Sequence, residues 1–77
     1  MKKVNFVKWL EKKGLYYRAT PTKKRPDAVS VYSPLNDGRY MRVSGFDNDY
    51  LRVTAYGRFS GTVTGEVCRS MVRAMCY

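Results

Sequence analysis

The sequence predicts a small two-layer α+β domain: a helix, an antiparallel sheet of three to four strands, then a second helix. Three observations lead there. Residues 3–13 and 64–75 repeat apolar side chains at spacings of three and four, the period of a helix. Four segments between them alternate aliphatic with tyrosine, arginine or hydroxyl side chains, the period of a strand. A chain of 77 residues, without repeat or low-complexity tract, holds one domain over 1–77.

The first helix is expected over 3–13. Phe6, Val7 and Leu10 fall on one face, and Asn5, Lys8 and Lys12 on the other. Trp9 borders the apolar face as a core-edge anchor. Gly14 is a natural stop, and Lys12 and Lys13 suit the negative end of the helix dipole.

Strands are expected over 15–20, 28–33, 39–44 and 50–56. In the last, Leu51, Val53 and Ala55 oppose Tyr50, Arg52, Thr54 and Tyr56. Met41 and Val43 likewise oppose Tyr40 and Arg42, Val29 and Val31 oppose Tyr32, and Tyr16 shares a face with Arg18. Pro21 and Pro26 bracket Lys23, Lys24 and Arg25 and mark a loop. Asn36-Asp37-Gly38 marks a turn that pairs the next strand back as a hairpin. Residues 45–49 turn again, and 57–61 read as a flexible join. The second helix follows over 64–75, with Val67, Cys68, Met71, Val72, Ala74 and Met75 as its apolar arc. Thr62 or Thr64 is placed to cap it. Both helices then pack on the aliphatic sheet face.

This element order resembles that of double-stranded-RNA-binding domains and of small HicA-type toxins. The glycine-serine-histidine signature of those toxins is ruled out, because the chain has no histidine. The resemblance is one of element order, and no site residue is carried over from it.

The formal charge is +9 and unevenly spread. Residues 1–26 hold nine Lys/Arg against Glu11, a balance of +8; residues 27–49 hold two Arg against four Asp, a balance of −2; residues 50–77 return to +3. A clustered positive field draws polyanions or acidic protein surfaces. Cys68 and Cys76 lie eight residues apart, about 12 Å along a helix, too far for a disulfide within it. Reduced thiols lead to a cytoplasmic expectation. Residues interrupting the apolar positions after Met1-Lys2-Lys3 argue against a signal peptide, and no stretch is suited to span a bilayer.

The chemistry points to binding rather than catalysis. Without histidine there is no ordinary base near neutral pH, no carboxylate pair has an evident reason for a raised pKa, and Cys68 sits on a core stripe. Asp47-Asn48-Asp49 lacks the glycine and glutamate of a calcium loop, and two cysteines alone make no zinc site. The segment 57–61 lacks phosphate-loop spacing. No cofactor or metal is expected.

The residues expected to bind are Arg18, Tyr32, Tyr40, Arg42, Tyr50, Arg52 and Tyr56 on the sheet, with Lys23, Lys24 and Arg25 in the loop. Flat rings stack on bases, and guanidinium groups neutralise phosphates. The expected function is a non-enzymatic nucleic-acid-binding protein, for DNA or RNA, with single strands preferred to duplex. The alternative is a protein-binding effector, of phage or mobile-element origin, that inhibits or regulates a larger host protein through an acidic surface. Tyrosine and arginine are also the side chains enriched at protein interfaces. Self-association through an exposed strand edge or the tyrosine face is a third route. If a helix covered the tyrosine face, its residues would be core instead.

Overall fold

The computed structural model describes residues 1–35, 38–55 and 59–77. Its elements run α1 (Lys3–Lys12), β1 (Tyr16–Ala19), β2 (Val29–Tyr32), β3 (Tyr40–Ser44), β4 (Leu51–Ala55), β5 (Phe59–Val63) and α2 (Gly65–Cys76). The five strands form one antiparallel meander in chain order. Strand count is the main departure from expectation. Residues 59–61, read as part of a flexible join, belong to β5, which pairs with β4 from Leu51↔Val63 to Ala55↔Phe59. Ser60 and Gly61 have weak strand propensity, so the hydrogen-bonding edge of β4 decides this conformation. Asn36 and Asp37 of the expected turn, Gly57 and Arg58 of the expected join, and Tyr56 of the expected binding face lie outside the described residues.

α1 ends as its sequence predicts. The Gly14 N–H donates to Glu11 O and the Leu15 N–H to Leu10 O, while Gly14 takes a φ of 69°. This reciprocal pattern caps the last carbonyls and needs a residue at ease in the left-handed region. Leu10 and Leu15 both enter the core. At the start of α2, Thr64 Oγ1 accepts from the Val67 N–H at 3.3 Å, satisfying a donor the helix leaves open.

The core lies between the helices and one sheet face. Phe6 and Leu10 from α1, and Cys68, Val72, Met75 and Cys76 from α2, meet Val29, Val31, Met41, Val43, Leu51 and Val53. Trp9 packs at its margin, its ring 6.0 Å from that of Phe6. Tyr17 also turns inward and donates its hydroxyl to Glu11 at 3.1 Å, tying β1 to α1. Partial desolvation, then the Glu11 carboxylate, raise the Tyr17 pKa. The buried stripe of α2 is narrower than the expected arc. Val67 and Ala74 are exposed, whereas the nearly terminal Cys76 is buried. The stripe runs at i, i+4, i+7 and i+8 from Cys68, which leaves Val67 and Ala74 beyond its edges. Neither cysteine forms a disulfide. Among the described residues, no helix is long and apolar enough to cross a membrane.

Candidate functional site

Because both helices occupy the aliphatic side, no helix covers the other sheet face among the described residues. Strand pairing sorts its side chains into rows that run across the strands. The first row is Tyr16, Tyr32 and Tyr40 on β1, β2 and β3. Their ring centroids are 5.4 and 6.0 Å apart, with tilts of 51° and 34°. Such spacing stiffens the row through cross-strand contact and leaves ring surface facing solvent. Tyr16 is 63% exposed, and Tyr32 and Tyr40 are half-buried.

The second row is Arg18, Ser30, Arg42, Thr54 and Ser60. Arg42 holds the middle strand. It is half-buried, and its Nε is sealed from solvent with no hydrogen-bond partner among the described residues. Ser30 is buried beside it and hydrogen-bonds the Thr20 hydroxyl at 2.8 Å.

The third row is Ser44, Arg52 and Thr62. It opens into a groove of about 670 Å³ whose further lining includes Lys24, Arg25, Asp47, Asn48 and Tyr50. Two connections that are distant in sequence build this groove. In the β1–β2 connection, Thr22 and Arg25 exchange backbone hydrogen bonds at 3.0 and 3.2 Å. Lys23 and Lys24 stand exposed between them. The other wall is the β3–β4 turn, where Gly45 has a φ of 74°.

Asp27 joins the two connections. Its carboxylate accepts from the Phe46 N–H at 2.9 Å and from the Gly45 N–H at 3.0 and 3.2 Å. Partial burial works against its charge, but the Phe46 and Gly45 N–H groups, with help from Lys3, outweigh it and lower the pKa below the ordinary value.

The expected site residues therefore separate into neighbouring groups. Tyr32 and Tyr40 belong to the aromatic row, Arg18 and Arg42 to the next, and Arg52, Tyr50, Lys24 and Arg25 to the groove. Lys23 is at the loop tip. The hydroxyls of Ser44 and Thr62, and the Asp27 clamp, were not among the expected site residues. Polar strand phase marked the face for Ser44, whereas Thr62, expected only as a helix cap, belongs to the unexpected β5, and Asp27 meets Gly45 across 18 residues, which no local pattern signals. Among the described residues, no strand position on this face carries a carboxylate. The arrangement can stack planar groups on one row and attract anions along the next two. No protein-family model, curated protein or solved structure matches this chain.

Proposed function

We propose that the protein binds single-stranded nucleic acid through the uncovered sheet face, without catalysing a reaction. The observation that carries this reading is the tyrosine row, with Tyr16 exposed and Tyr32 and Tyr40 half-buried, directly beside an arginine row, with no carboxylate between them among the described residues. Stacking on aromatic rings favours unpaired bases, since a duplex hides its base faces. The cationic amino-terminal third and the Lys23–Arg25 loop supply attraction independent of base identity.

Fluorescence anisotropy with single-stranded DNA, single-stranded RNA and duplex DNA across a salt series tests it. The expected result is sub-micromolar binding with a single-strand preference that survives physiological salt. Combined replacement of Tyr40, Arg42 and Arg52 by alanine is expected to weaken binding by at least tenfold, since stacking alone contributes about 1–3 kcal/mol per base. A folded triple variant with wild-type affinity refutes the proposed surface. Weak binding that vanishes equally for all three probes refutes the nucleic-acid reading and redirects the same face to an acidic protein partner.

A further inference from the structure

We infer that the groove beside Arg52 is a phosphodiester site, and that a bound single strand crosses the β-strands with its bases on the tyrosine row and its phosphates on the arginine rows and groove. This inference rests on the proposed function and specifies how that face is used.

The rows supply the argument. Tyr40, Arg42 and Ser44 are successive outward positions of β3, so adjacent rows lie roughly 7 Å apart and the first and third about 13 Å apart. All three rows run perpendicular to the strands. A polynucleotide carries bases along one side and phosphates along the other. Laid parallel to the rows, a strand keeps its bases on the aromatic row across β1, β2 and β3 and turns its phosphates toward Arg18 and Arg42, with the groove beyond. Laid along a strand, it meets one tyrosine, then arginine, then the groove, and most of its bases face cations.

The groove chemistry fits a phosphodiester. Lys24, Arg25 and Arg52 supply charge, and Thr62 and Asn48 supply neutral donors. Two carboxylates also line it. Asp27 is engaged by two backbone N–H groups. Asp47 is exposed and opposes an anion. A site for phosphate therefore gains when Asp47 is neutralised.

The test measures oligothymidylate and a length-matched abasic deoxyribose-phosphate oligomer against single variants, with circular dichroism confirming the fold of each. Tyr16→Leu, Tyr32→Leu and Tyr40→Leu are each expected to weaken oligothymidylate binding about five- to a hundredfold. They leave abasic binding and the salt slope unchanged. Lys24→Gln and Arg52→Gln weaken both probes and each lower the log–log salt slope by about 0.7. Asp47→Asn strengthens both. If only one tyrosine matters, or if the Lys24 and Arg52 variants leave the slope unchanged while wild-type binding is intact, the crossing path is overturned and the nucleic-acid reading stands. If the wild-type protein binds neither probe, both are overturned.

Discussion

Replacing Asp27 by alanine removes the clamp between the two connections that form the groove. Two backbone N–H groups lose a carboxylate partner now at 2.9–3.2 Å, and one belongs to Phe46, whose side chain is in the core. Hydrogen bonds to a charged group contribute about 1.5–3 kcal/mol each. Asp27 is half-buried, so solvent screens its charge and replaces part of the loss, which leaves about 2 kcal/mol for the pair. Domains of this size have roughly 4–12 kcal/mol in total. The expected fall in Tm is about 8–16 °C.

The same change has a pH signature. The folded carboxyl titrates below its unfolded value, so its contribution is complete above the unfolded pKa and disappears as pH falls through the folded one. Urea melts of wild type and Asp27→Ala should differ fully at pH 7 and converge below about pH 4. Asp27→Asn, which keeps one acceptor oxygen, should fall between them. A pH 7 difference under about 0.5 kcal/mol refutes the clamp as a source of stability. A difference that persists undiminished at about pH 2 shows that packing, not the carboxylate charge, is its source.

Thr64→Ala should cost about 1 kcal/mol in a urea melt through loss of the α2 cap, and Thr64→Ser should recover most of it. Leu51→Ala, at a fully buried position on β4, should cost about 2–5 kcal/mol, while Thr54→Ala on the outer face of the same strand stays within about 0.5 kcal/mol. Burial, partly offset by Arg69, pushes the Cys68 thiol pKa up to about 12. Cys68 should therefore resist an alkylating reagent at pH 8 in the native protein and react readily in denaturant, as read by peptide mass spectrometry.

Much of the fold was legible because its signals are periodic. Apolar residues at spacings of three and four can share a buried face only in a helix, which located both helices to within a residue at each end. Alternation in 39–44 and 50–56 sent Tyr40, Arg42 and Arg52 to one side before any pairing was known. β5 was hidden because Ser60 and Gly61 interrupt the strand preference of Phe59, Thr62 and Val63. Its conformation depends on hydrogen bonds to β4. Within α2, periodicity defined a broad arc, but packing buried Cys76 and excluded Val67.

The sequence by itself determined the α+β class, the chemical division of the sheet and the concentration of positive charge. Side-chain periodicity and composition are local properties, and they survive without knowledge of which strands meet. Only the tertiary structure decided that no helix covers the tyrosine row among the described residues; both helices take the aliphatic face, as expected, because burying it removes the largest apolar area from water. It alone decided the register that sets Tyr16, Tyr32 and Tyr40 in one row, and the Asp27 link that brings Lys24 to the groove beside Arg52. Those relations depend on hydrogen bonds between segments far apart in the chain, and no single segment encodes them.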